Sequence, residues 1–262
     1  MTFVMTPIAE HSLDRLQHPP LRLAVVQVRT TPMLAAENAG TVQEMLAELP
    51  DWTLIDRQAA AEAHLVFGPG GVSQKSGGQA RTVWVLSTAQ DSIRASVSEN
   101  YVAVESTEYD TWQTMRAALS SLLAGVSENL APPRATRLGV RYVNVLPTPA
   151  AASLPELQQL ICEPLLAPLA ALELPLRASV AELRLGDEAD ASRLLVLRHG
   201  LQPEGGYLLD FDAFVEFTAE ELFNPDALAG LAQELHDRIE SLFVWSLAPL
   251  ALRRLGTGKA LT

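Results

Sequence analysis

Asp210, Asp212 and Glu216 alternate with Leu209, Phe211, Ala213, Val215 and Phe217. Alternate residues of an extended strand share a face, so the three carboxylates point one way and these five apolar side chains the other. Three oxygen ligands on one face suit Mg²⁺ or Ca²⁺. A metal site would also want ligands from a second element, and no HExxH or DxDxDG pattern supplies them. No metal is therefore expected, and the plainer reading is a half-buried strand with an acidic outer face. The counterpart in charge is RLGVRYVN, residues 137–144. On a strand Arg141 points opposite to Tyr142 and Asn144. If helices cover one side of the sheet, one of these two sets lies on the open side. Arg141 could there meet Asp210 and Asp212. This arginine–carboxylate surface (Arg141, Tyr142, Asn144, Asp210, Asp212, Glu216) is the candidate interaction site. The competing reading is a structural ion pair between neighbouring strands, worth little if exposed.

Other motifs carry less. GPGGVSQKSGGQ, residues 68–79, invites a phosphate-loop reading. A Walker loop needs glycine just before Lys-Ser and another five residues earlier, and Gln74 and Pro69 stand there. The segment reads as a flexible connection between strands. His11, His18, His64, His199 and His236 have no metal-ligand spacing to one another or to Cys162. His236 lies four residues before Glu240, a local ion pair on a helix. Cys162 beside Ile161 reads as a small core residue, not a nucleophile. No GxSxG is present. No catalytic residue and no cofactor are expected.

The elements that must position these residues are read from periodicity. Leu21–Val28 is a buried strand, and Asn38–Leu49 carries Val42, Met45, Leu46 and Leu49 at helical spacing. Thr53–Asp56 and His64–Phe67 are short extended candidates. Thr82–Thr88, Ser92–Ser98 and Tyr101–Ser106 look like three antiparallel strands. Asp110 with Gln113 caps a helix whose Trp112, Met115, Leu119, Leu122, Leu123 and Val126 share a face. The order then begins again. Arg137–Leu146 is a strand, and Ser153 with Glu156 caps a helix that Pro164 and Pro168 interrupt. Arg177–Leu185, Ser192–Leu201 and Tyr207–Phe217 are strands. Asn224 before Pro225 starts a last helix carrying Leu228, Leu231, Leu235, Ile239 and Leu242. Beyond Leu242 the apolar residues spread round the axis. That segment is expected in the core, or else at an interface through Phe243, Trp245 and Leu250.

Both halves thus read as strand, helix, three strands, helix. Residues 22–32 align with 137–147 at five identities in eleven positions. The expected architecture is α+β, a duplicated β-α-β-β-β-α unit forming one antiparallel sheet with helices on one face. Its nearest known shape is the saddle of the TATA-binding protein, an analogy of fold that carries no function. The expected division is a lead-in at 1–20, a first repeat at 21–134, a second at 135–252 and a tail at 253–262.

YVAVESTEY at 101–109, Trp112, Met115-Arg116 and Leu119, RLGVRYVN at 137–144, LLDFD at 208–212 and LHDRIESLF at 235–243 resemble a family of proteins of about this length. Its members are sporadically distributed in bacteria and archaea, and their function is uncharacterised. The resemblance spans about Leu21 to Leu250. It implies a cytosolic prokaryotic protein and carries no catalytic residue across.

Composition narrows the function classes. Of 262 residues 48% are hydrophobic, which suffices for a real core. No run reaches the roughly 18–20 apolar residues of a membrane span. Residues 1–20 lack a basic stretch followed by an apolar one, so no secretory signal is expected. The single cysteine fits a reducing compartment, and a cytoplasmic location is expected. A net charge of −12 with no basic run longer than Arg253-Arg254 makes nucleic acid an unfavourable partner. The leading reading is a non-catalytic protein-interaction or regulatory module, binding a protein partner or a second copy. The alternatives, in order, are a ligand binder or enzyme with a groove between the halves, and a nucleic-acid binder.

Overall fold

The computed structural model describes residues 16, 19–68, 71–89, 92–132, 134–169, 176–186, 190–217 and 221–256, and over 60–68 and 71–80 the backbone alone. Nine strands and six helices follow one another. They are β1 (Leu21–Thr30), α1 (Ala39–Ala47), β2 (Trp52–Gly68), β3 (Gly71–Thr88), β4 (Arg94–Ser98), β5 (Tyr101–Ser106), α2 (Trp112–Asn129) and β6 (Ala135–Leu146). Two single-turn helices come next, α3 (Leu154–Leu157) and α4 (Glu163–Leu166), then β7 (Ala181–Gly186), β8 (Arg193–Leu201) and β9 (Tyr207–Glu216), and finally α5 (Pro225–Ser246) and α6 (Pro249–Gly256). All strands join one antiparallel sheet in the order β2-β3-β4-β5-β1-β6-β9-β8-β7. The fold is α+β. No helix among the described residues is long and apolar enough to cross a membrane.

Alternation decides which face the helices take. Ala24, Val26 and Val28 of β1 are fully buried, as are Leu138, Val140 and Tyr142 of β6. These residues oppose one another across the ladder and form the face on which α2 and α5 lie. Trp112, Met115, Leu119, Leu122, Leu123 and Val126 of α2 meet it, with Leu228, Leu235, Ile239 and Leu242 of α5. Leu23, Val25 and Gln27 point to the other face and are half-buried, with no described helix across them. The alternation is that of a sheet with one covered and one uncovered side.

Four expectations need correction. Glycines 71, 77 and 78 lie in β3, whose backbone pairs with β2 out to Gly68 and Gly71. Ladder bonds come from the backbone, so glycine content does not exclude a strand there. The cap of α2 is Thr111, whose hydroxyl accepts from the Thr114 N–H, and Asp110 lies one residue outside. The helix after Ser153 has its capping box but stops at Leu157. Finally, the alignment of 22–32 with 137–147 is not a structural equivalence. It matches half-buried Leu23 and Val25 with fully buried Leu138 and Val140, residues of the opposite face. Its odd offset of 115 reverses the face of every side chain.

The apolar segment after Leu242 is not one continuous helix. α5 ends at Ser246, Leu247 is extended, and α6 begins at Pro249. Residues 160–162 fill the break. Cys162 N–H donates to Ser246 O at 2.9 Å and Ala248 N–H to Leu160 O at 2.9 Å. Phe243 is 1% exposed and packs edge-on against Phe211, whereas Trp245 is 39% exposed.

Candidate functional site

The pairing of β6 with β9 and of β9 with β8 places the charged residues. Arg141 opposes Asp212, Val143 opposes Asp210, and Arg198 of β8 stands across from Asp210. All point to the uncovered face. Arg141 reaches diagonally to Asp210 and holds it with two bonds, Nε to Oδ1 at 2.8 Å and Nη2 to Oδ2 at 3.0 Å. Arg198 Nη1 approaches the same carboxylate at 3.4 Å, while its Nε donates to Glu182 at 2.8 Å. Arg184 donates to Glu182 at 2.8 Å. Charges therefore alternate from β6 through β9 and β8 to β7 at the sheet edge. Asp210 has no exposed surface although it lies on the uncovered face, because the two guanidinium groups enclose it. A bidentate arginine fixes both the carboxylate and its own rotamer.

Arg137 makes a second cluster. Its Nη2 lies 3.4 Å from Asp212 Oδ1 and its guanidinium 4.2 Å from the Phe214 ring centre. Gly139 makes room for it, since a Cβ there would come within 2.8 Å of Arg137 Nη1. Burial pushes the Asp212 carboxyl above its ordinary range, against the pull of Arg137 and Arg141. Between the unfolded value and this raised folded value the native state holds more proton than the unfolded chain, so stability falls as pH rises through that window. Asp212→Asn keeps the acceptor and removes the charge. It is expected to equal or exceed the wild-type urea midpoint at pH 7, with the difference shrinking as pH falls toward 4. A variant less stable at pH 7 and unchanged by acid would contradict this.

Tyr142 and Asn144 face the helices. The Tyr142 hydroxyl lies 2.8 Å from His236 Nδ1 and 3.4 Å from the Tyr109 hydroxyl. His236 Nε2 lies 3.5 Å from Glu240, and Trp112 stacks on the imidazole at 4.3 Å between ring centres. Burial lowers the His236 pKa to about 3, so the ring is neutral at pH 7. Nε2 faces a carboxylate and therefore carries the proton, leaving Nδ1 to accept from Tyr142. Asn144 donates to Leu209 O at 3.3 Å and is buried.

Of the six candidates, Arg141, Asp210 and Asp212 come together. Glu216 opposes Arg137 at the exposed end of β9, and Tyr142 and Asn144 lie in the core. Arg137, Arg198, Glu182 and Phe214 belong to the same surface and were missed, although Glu182 and Arg184 alternate with Leu183 and Leu185 as a strand face requires. Of the C-terminal trio only Trp245 and Leu250 have exposed surface. Cys162 is half-buried, and burial pushes its thiol up. No group of three or more His, Cys, Asp or Glu suited to a metal occurs among the described residues. A shallow depression lined by Ser92, Ser106, Glu108, Tyr109 and Thr114, with room for about one water, lies beside the start of α2, away from this cluster. His11 and His18 lie outside the described residues. Comparison with models of known protein families and with curated proteins returns no match.

Proposed function

We propose that this chain is a non-catalytic interaction module that engages a protein partner through the uncovered sheet face. One observation carries the reading. A bidentate Arg141–Asp210 pair, its carboxylate fully buried, begins an alternating charge row on a face that no described helix covers. Such a row is rigid before binding and pairs with a partner surface of matching alternation, which favours specificity. Each arginine of the row already meets a carboxylate, which leaves little free positive charge for a phosphate backbone and sets nucleic acid lower.

In this reading the two halves are diverged copies around a central β1–β6 pair. Outward from β1 run β5, β4 and β3; outward from β6 run β9, β8 and β7. α2 follows β5 as α5 follows β9. An even offset, one that matches Val26 with Val140, preserves the faces. A saddle-like sheet, a cytoplasmic location and kinship with the sporadically distributed prokaryotic family belong to the same proposal. The test is purification of the tagged chain from its native host with mass spectrometry of what accompanies it. A stoichiometric protein partner is expected, and the chain alone would overturn the reading.

A further inference from the structure

β7 ends the sheet, and its outer edge has no partner strand among the described residues. All six of its residues are exposed. Its ladder with β8 runs without irregularity, whereas β2 at the other edge carries two register shifts. Bulges of that kind protect edges from adding strands, and β7 has none. Leu183 and Leu185, 39% and 44% exposed, share the helix-side face beyond buried Leu197. Glu182 and Arg184 share the other face.

We infer that β7 pairs antiparallel with β7 of a second copy, joining two nine-stranded sheets across a two-fold axis at Leu183. The charge order selects this occupant and this register. Centred on Leu183, Glu182 of each copy faces Arg184 of the other, twice. A shift of the axis by one residue, to Glu182 or to Arg184, sets like charges opposite each other, which destabilises the pair. In the Leu183 register the two Leu183 side chains meet, and Leu185 covers the second copy's Ala181. Arg184 is 73% exposed, and on pairing it exchanges its 2.8 Å contact with Glu182 of its own chain for Glu182 of the second copy. The edge adjoins the Arg141–Asp210 cluster through Glu182, which Arg198 also holds, and the strand pairing does not rest on that cluster's function.

Light scattering of the intact chain is expected to show a dimer, and Arg184→Glu to weaken it about tenfold by placing like charges opposite at both symmetric pairs. Leu183→Cys places two thiols across the axis, with Cα atoms about 4.5–5.5 Å apart, within disulfide reach. Leu185→Cys leaves its two copies about 13 Å apart. Mild oxidation should link the first variant and not the second. A wild-type chain that stays monomeric at high micromolar concentration would overturn the proposal, as would a dimer in which Leu185→Cys links as readily as Leu183→Cys.

Discussion

Replacing Arg141 by methionine is expected to lower the unfolding free energy by about 3 kcal/mol, and adding Asp210→Leu to the same chain to restore most of it. Asp210 has no exposed surface. Without Arg141 its carboxylate keeps only the 3.4 Å contact to Arg198, which is itself committed to Glu182. A carboxylate taken from water and left half-compensated is far costlier than the pair is favourable. Leucine at 210 removes the charge that needs compensation. A double-mutant cycle by urea unfolding isolates the coupling. If the single variant lost less than about 1 kcal/mol, the pair would be an ordinary surface contact and the enclosed carboxylate would be misjudged.

The second large effect is acid sensitivity centred on His236. Burial holds its folded pKa at about 3, against 6.5 when exposed. Between those values the unfolded chain binds a proton that the native state does not, so stability falls as pH drops below about 6.5 and goes on falling toward 3. From pH 7 to pH 5 this one group removes about 2 kcal/mol. His199, also lowered by burial, acts in the same direction. His236→Gln keeps an acceptor for the Tyr142 hydroxyl and does not titrate. The stability difference between it and the wild type should shift by about 2 kcal/mol in its favour over that interval. Equal slopes would show that the imidazole is solvated, and a wild type that gains on the variant as pH falls would show that Glu240 holds it charged.

These two sites differ in how far the sequence reveals them. Alternation in 207–217 and 137–146 suffices to put Asp210, Asp212 and Arg141 on strand faces, because a strand's period is a local property. That β6 and β9 are neighbours, and that Arg141 reaches diagonally to Asp210, is a matter of register between segments 69 residues apart, which no local pattern encodes. The same holds for His236. Its spacing to Glu240 is legible within one helix. Its contacts with Tyr142 and Trp112 arise only when α2 and α5 settle on β6. The glycines at 71, 77 and 78 suggest a loop by composition, but backbone pairing with β2 decides there, and side chains do not encode it. The end of α5 at Ser246 was hidden because Leu247 is as apolar as its neighbours. The break is set by residues 160–162, far away in the chain.

The uncovered sheet face as the partner's docking surface is tested most directly by two charge variants and the partner recovered from the native host. Gln27 lies mid-face on β1, opposite Ala103 and Gly139, and Gln27→Arg adds a cation there. Glu44 is exposed on α1, on the helix side, and Glu44→Arg serves as the control. Binding measured by titration calorimetry should fall at least about tenfold for Gln27→Arg, a loss of about 1.4 kcal/mol, and stay unchanged for Glu44→Arg. Undiminished binding by Gln27→Arg together with loss in Glu44→Arg would place the partner on the helices and contradict the account.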